Sequence, residues 1–447
     1  MTTTNLETLS REFSGDIIEP GHPGYAAKSG ALLAPGAPAV ILRPSSVGGV
    51  QAAVKYAAAS GLALSVRGGG HSFAGFGTND GGIVIDLGRL DGVEVVEGGW
   101  HVVRIGGGAT WGRVAEALAP HGLAISSGDT KGVGVGGLTL AGGIGWKVRK
   151  HGLALDSLVR AEIVTADGRV VSADEDENAE LFWAVRGGGG NFGIVTAFEF
   201  AAHPTTEVFH GKIAFPGAQA TQVVQGWADY MRIAPEALTT IVAFANPFAG
   251  GPEAPVEIFV TFDGDGEEEA NAALDPIRHL GTVIADDVAL KPYAETLEEG
   301  QTPPPGIRFH TRNAFVERAG ADAALQILTE IGATPGSPFL TIRSIGGALA
   351  RVADDATAFA HRRAELMIGT AAVGPAPVVE AALPALDALW DRLAPHVSGT
   401  YANFNTTADD KDVAAAYPAD TYKRLAAVKR RYDPANLFSG NYNVRPL

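Results

Sequence analysis

Four dense glycine clusters in the first 200 residues constrain this chain more than any other feature. They are RGGGHS (67–72), IGGG (105–108), GVGVGGLTLAGGIG (132–145) and RGGGGNFG (186–193). Glycine is costly inside regular elements, because ordering it removes more backbone freedom than ordering any other residue. What it offers is close approach. Without a Cβ the backbone can press against a ligand, adopt positive φ and aim consecutive N–H groups at a pyrophosphate. Tight turns explain single glycines well. Four clusters in one half point to a large shared ligand with the chain wrapped around it.

The elements between the clusters are short. Strands are predicted at 39–44, 62–68, 83–87, 102–108 and 192–200, and helices at 47–61, 111–122 and 180–190. A hairpin is predicted over 161–171, turning at Asp167-Gly168. After His203-Pro204 the texture changes to longer alternating runs at 207–215, 256–262, 307–316 and 339–345. Helices are expected near 217–234 and 320–333, with loops rich in Pro and Gly at 246–255, 301–306 and 334–338. A tail helix stops at Asp433-Pro434. The reading is α+β. A two-part domain over 1–205, divided at residue 100, precedes an antiparallel sheet covered by helices over 206–400, and a C-terminal segment over 401–447 follows.

Several function classes are excluded. A net charge of −16 and the lack of any basic run longer than Lys429-Arg430-Arg431 leave no footprint for nucleic acid or an anionic membrane. The absence of cysteine removes disulfides, thiolate metal sites and Cys nucleophiles. No two histidines stand three or four apart, and G-x-S-x-G is missing, so zinc-hydrolase and serine-hydrolase patterns are absent and no metal site is expected. The N-terminus is polar and no run of about 18 apolar residues occurs. We expect a cytoplasmic protein, monomeric or homodimeric.

Two readings compete at the clusters. Gly132, Gly134 and Gly137 fit G-x-G-x-x-G, with Asp156 downstream, as in nicotinamide-cofactor sites. That motif needs a strand leading straight in and a helix opening behind it. The lead-in AISSGDTKG reads as a loop and LTLAGG as a poor helix start, so the match is set aside. His71 is more informative. It ends a glycine run just after a predicted strand, where a neutral imidazole on a ligand-hugging loop is a competent nucleophile.

At this point a family comes into view. SVRGGGHSFAG (65–75) and NDGGIVIDL (79–87) resemble the berberine-bridge-enzyme-like flavoproteins of the vanillyl-alcohol-oxidase superfamily. So do 133–158, 180–200, YANF (401–404) and 422–446, in the same order along nearly the whole chain. The resemblance implies a PCMH-type FAD-binding domain, FAD as cofactor, and a covalent bond from His71 to the flavin 8α carbon. Arg67, Gly68, Gly69, Gly70 and Ser72 would cradle the pyrophosphate. Gly134, Gly136, Gly137, Gly142 and Gly143 would line the same cofactor, Ile194 and Val195 would contact it through their backbone, and Asn441, Tyr442 and Asn443 would close over it from the tail.

Two departures matter. Many members hold a second bond from a Cys that is Thr130 here, so the resemblance implies at most one covalent link. Leu138 replaces the usual His after V-G-x-G-G. Both departures resemble the bacterial 6-hydroxynicotine oxidase-like subgroup. The implied reaction takes a hydride from a C–H beside O or N of a small alcohol, amine or secondary metabolite and reduces O2 to H2O2. Val133 stands at the position associated with oxygen access, and Tyr401 and Asn403 on the substrate side, with Tyr401 as base or positioning group. A dehydrogenase using another acceptor and a catalytically silent flavin-binding protein are the alternatives. On the sheet strands, Arg308 and His310 share a face that is either pocket wall or solvated, and Arg343 is a further candidate.

Overall fold

The structure, a computed structural model, describes residues 3–96, 101–244, 254–300, 303–332 and 337–447. Of the loops expected at 246–255, 301–306 and 334–338, residues 246–253, 301–302 and 334–336 lie outside the described residues.

The first half holds two main sheets and a short two-stranded pairing of Leu123–Ala124 with His203–Pro204. In one, Val40–Pro44, Ile83–Asp86 and Leu64–Arg67 run parallel, and Gly15–Ile18 adds an antiparallel edge. Parallel strands need a crossover, and the helix Val47–Ser60 supplies it. Its start is capped by Ser46, which accepts from Gly49 N, and Gly61 ends it in the left-handed region at φ 67°. The other sheet is antiparallel, ordered Val93–Val95, Val102–Gly106, Ile194–Ala201, Leu158–Val164, Val170–Ala173. The sheets part between Asp86 and Val93, ahead of the division drawn at residue 100, because Val93–Val95 pairs with Val103–Ile105. The hairpin turns where expected, with Gly168 at φ 77°.

The second half is an eight-stranded sheet, antiparallel at every pairing, with helices Ala220–Met231, Gly266–Arg278, Arg318–Gly332 and Ala376–Leu393. Strand alternation divides it into two faces. Leu238, Thr240, Val242, Phe244, Val256, Ile258, Val260, Leu340 and Ile342 are buried on the helix side, where Trp227, Leu274, Leu325 and Leu389 meet most of them. The residues between them face the first half. Strands Leu238–Phe244 and Ala364–Pro375 escape the sequence reading. The first is buried at every position and so shows no alternation; the second is rich in Ala and Gly, which have low strand propensity.

One segment corrects the sequence reading directly. Val135–Ala141 is a helix, although LTLAGG looked a poor start. Burial of Val135, Leu138 and Leu140 in the core of the second sheet outweighs the cost of its glycines. The nicotinamide motif still fails. No strand leads into Gly134, and Asp156 is consumed by Arg362, with Nη–O distances of 2.8 and 2.9 Å.

The halves are joined by a buried charge. Lys147, with no exposed surface, donates to Asp263 Oδ2 at 2.6 Å and to Thr205 Oγ1 at 2.8 Å. Burial pushes Asp263 up, yet the neighbouring His151 and the charge of Lys147 hold its carboxyl at about 2. Asp263→Asn would leave the ammonium buried without its counter-charge. We expect a loss of ~3–5 kcal/mol in thermal or denaturant unfolding, and recovery of most of it in Lys147→Met with Asp263→Leu, since an apolar pair carries no desolvation cost.

Candidate active site

The floor of the site is two glycine loops in backbone contact. A Cβ at Gly69 would lie 2.3 Å from Gly134 N and 2.6 Å from Gly132 O, and one at Gly134 would lie 2.3 Å from Gly69 N. Arg67 anchors the first loop. Its Nε and Nη2 bond Asp86 Oδ2 at 3.2 and 3.0 Å, while Nη1 reaches Gly30 O at 2.8 Å and Nη2 reaches Lys28 O at 2.7 Å. Its guanidinium is thus spent on the protein, and Arg67 supports the loop instead of offering donors to a ligand.

Above this floor lies one cavity of about 710 Å³, inside the roughly 300–1,000 Å³ range of small-molecule and cofactor sites. Gly68, Gly69, Gly70, His71 and Ser72 line it, as do Val133, Gly134, Gly136 and Gly137. Ile194 and Val195 join them from the second sheet, Tyr401 and Asn403 from the Y-x-N-F segment, and Asn441 and Tyr442 from the tail. Three expected residues are not on the wall. Gly142 and Gly143 stand behind Tyr401: a Cβ on Gly142 would meet its ring at 3.2 Å, and Gly143 N donates to its hydroxyl at 3.1 Å. Asn443 is set back in the tail.

His71 is wedged between backbones. A Cβ at Gly132 would sit 2.6 Å from its Nε2, and one at Gly300 3.1 Å from its Cε1. Burial lowers its pKa below the ordinary value, so the imidazole is neutral near pH 7. Tyr401 is 2% exposed. Its hydroxyl accepts from Gly143 N and from Asn403 Nδ2, the latter at 3.0 Å, and burial raises its pKa despite these donors. It is a neutral phenol, and among the described residues nothing accepts its proton.

The tail is fastened by Asn191 from the fourth glycine cluster. Asn191 donates to Tyr442 O at 3.0 Å and accepts from Val444 N at 2.9 Å. The Tyr442 hydroxyl is spent on Thr407 O and Asn405, so its ring, edge-on to Phe76, is what the cavity meets. The Oδ1 atoms of Asn441 and Asn443 are buried without a partner. On the cavity wall, the orphaned Asn441 oxygen fits a bound group that brings its own donor.

The roof is the sheet of the second half: Ile241, Ala243, Phe259, Phe309, Phe339 and Thr341, with Arg343 at one end. Phe309 faces the cavity, so alternation sends Arg308 and His310 to the other, helix-covered side; the pocket-wall reading of that pair is wrong. Arg343 Nη2 bonds Asp129 Oδ2 at 2.7 Å and its guanidinium lies 5.2 Å from the centre of the Phe404 ring. Although burial pushes Asp129 up, Arg343 holds it below the usual range; burial and Asp129 together raise Glu298, which lines the same end. Asp129, Glu298 and Gly300 carry no sequence motif and were missed. They meet the site only because the 129–131 and 298 segments pair, with Glu298 N to Asp129 O at 2.8 Å and Lys131 N to Glu298 O at 2.9 Å.

Comparison with known proteins agrees with this geometry. An FAD binding domain model matches residues 38–174, and a berberine and berberine-like model matches 400–445. The chain is 32% identical to (R)-6-hydroxynicotine oxidase of Paenarthrobacter nicotinovorans over 97% of both proteins. It belongs to the berberine-bridge-enzyme-like family of FAD-linked oxidoreductases. The crystal structure of 6-hydroxy-D-nicotine oxidase from Arthrobacter nicotinovorans superposes with a TM-score of 0.85 at 32% identity, covering 97% of this chain and 98% of that one. Glucooligosaccharide oxidase from Acremonium strictum, whose FAD is 6-S-cysteinyl and 8α-N1-histidyl, superposes at 0.85 and 25% identity over 100% and 99%. The α+β architecture with a PCMH-type FAD domain is thus the one expected, and FAD is the cofactor. Among the described residues no helix is long and apolar enough to cross a membrane.

As a member of this family the protein should lose its yellow colour when the floor is forced apart. Gly69→Ala places a methyl group 2.3 Å from Gly134 N. We expect its FAD content, read from the visible spectrum of the purified protein, to fall at least tenfold at ~1.4 kcal/mol per decade of affinity.

Proposed function

We propose that this chain is an FAD oxidase that holds its flavin covalently through His71 alone. It oxidises a small alcohol or amine with an apolar, aromatic body and passes the electrons to O2, releasing H2O2. The observation that carries this reading is the lodging of His71. A neutral, nucleophilic imidazole sits between two glycine backbones, at the junction of the glycine floor and the substrate roof of one cavity. The chain has no cysteine for a second link, and Thr130 occupies the corresponding position. The bacterial relative named for 6-hydroxynicotine, similar over its full length, supports a small heteroatom-bearing substrate.

When bound, the flavin supplies a two-electron acceptor for hydride. The residues do the rest. Gly68–Gly70 and Gly134–Gly137 leave room for the pyrophosphate, and Asn441 presents an unpaired oxygen. Three Phe rings on the roof exclude water and favour a flat apolar substrate. Polar groups are gathered at one end, so the substrate heteroatom is oriented there. Tyr401, already receiving two N–H donors, holds that heteroatom with its own O–H. Val133, small and on the wall, leaves space for O2.

The test is acid precipitation of the purified yellow protein. Colour that stays with the pellet in the native chain, and moves to the supernatant in His71→Ala, fits the reading. Release from the native chain sinks the covalent link. Reduction by substrate without oxygen consumption turns the assignment to a dehydrogenase. In Tyr401→Phe the flavin should stay attached while kcat drops about 10²-fold or more, the lower end expected for a lost proton-handling group.

A further inference from the structure

We propose that Gly300, carried by the second half of the chain, is a positioning residue for the attachment of flavin to His71. The inference rests on the reading that His71 bears the flavin. The glycine floor already confines one edge of the imidazole, since a Cβ at Gly132 would meet Nε2 at 2.6 Å. Gly300 confines the adjoining edge. A Cβ there would lie 3.1 Å from Cε1, 3.9 Å from Nε2 and 3.4 Å from Thr130 Cγ2. The ring is therefore gripped by two backbones from different halves of the protein, both closest to its Nε2–Cε1 edge.

Gly300 is not there by chance of a loop. The segment before it is clipped in register to the loop that carries Thr130. Glu298 N donates to Asp129 O at 2.8 Å, Lys131 N donates to Glu298 O at 2.9 Å, and Lys131 Nζ reaches Glu299 Oε1 at 2.5 Å. Leu297, 2% exposed, roots the segment in the hydrophobic core of the first half. This strap brings a residue of the roof-bearing half onto the attachment histidine, and a Cβ at its end would press the ring by a few tenths of an ångström, a larger side chain by more.

Attachment makes this placement matter. Joining an imidazole nitrogen to the 8α carbon breaks one N–H and one C–H bond. The two hydrogens leave with two electrons to O2 as H2O2, so the linked flavin ends oxidised. Apart from His71 itself no group in the protein is consumed, and what the rest of the chain contributes is alignment of nitrogen and carbon. A side chain at 300 pushes the ring off that line while leaving the glycine floor intact.

The experiment compares total FAD with acid-precipitable FAD in native protein, Gly300→Ala and Gly300→Val. We expect both variants to purify yellow with native melting temperatures. The covalent fraction should fall at least about tenfold in Gly300→Val, as for a displacement near 1 Å, and be intermediate in Gly300→Ala. A merely structural role would lower total flavin and melting temperature together and leave the bound remainder covalent, which would overturn the proposal. Full covalent attachment in Gly300→Val also overturns it. If that variant does not fold, Gly300→Ala decides: a covalent fraction equal to native rejects the role. Complete release of flavin by acid from the native protein removes the His71 reading itself, an outcome distinct from failure at Gly300 alone.

Discussion

The site depends on two glycines that face each other with no room for a methyl group between them. Gly69 and Gly134 bring two loops to backbone contact, and those loops carry His71 and Ser72 on one side and Thr130 and Val133 on the other to the cavity wall. Contact of this kind is hard to bend, because main-chain atoms have no rotamers through which to relieve a clash. It is reinforced beneath by Arg67, whose buried pair with Asp86 ties the loop to the parallel sheet. Other glycines serve the same purpose farther from the cavity. A Cβ at Gly108 would lie 1.8 Å from Leu87 O, and one at Gly145 1.8 Å from Ser127 O. The glycine clusters thus pack chain against chain as much as they make room for a ligand, and IGGG in particular is mainly a packing device.

The cavity combines neutral groups with one balanced cluster of charge. Near the glycines the groups are neutral: a histidine whose charge burial suppresses and a tyrosine whose ionisation burial suppresses. Charge is gathered beside them at one end, where Arg343 and Asp129 satisfy one another and Glu298, two residues before Gly300, has a raised pKa. The neutral imidazole of His71 and the apolar roof thus border a polar end whose ion pair is internally satisfied.

Much of this was legible because it is local. Helix Val47–Ser60 advertises itself by Ser46 before it and Gly61 after it, and the 161–171 hairpin by Asp167-Gly168. The glycine loops and His71 are contiguous motifs, so their gathering round one cavity could be anticipated. What stayed hidden was set by partners distant in sequence. Nothing near Glu298 or Gly300 indicates that they pair with residues 129–131, because main-chain pairing leaves no mark on side-chain choice. The all-buried strand Leu238–Phe244 lacks the alternation that identifies strands. Arg308 and His310 were correctly placed on a common face, but which face met the cavity depended on the helices packed behind the sheet. Gly142 and Gly143 belonged to the right motif, yet they buttress Tyr401 and do not touch the cavity wall.

The two halves of the chain are therefore less separate than the sheets suggest. The roof bears on the floor at several points, the Arg343–Asp129 pair and the bond from Arg149 to Leu238 O among them, and two more reach the cavity wall. One is the Lys147–Asp263 cluster, where an ammonium from the helix-rich stretch after the third glycine cluster meets a carboxylate beside strand Val256–Phe262. Trp146, next in sequence to Lys147, is on the cavity wall, so the charge that joins the halves also sets one side of the pocket. The other is the strap ending at Gly300, which lies against His71. Roof and floor are therefore one packed unit around the cavity: the strap forms the edge beside His71, the charge cluster holds the side beside Trp146, and Phe259, Phe309 and Phe339 line the roof itself.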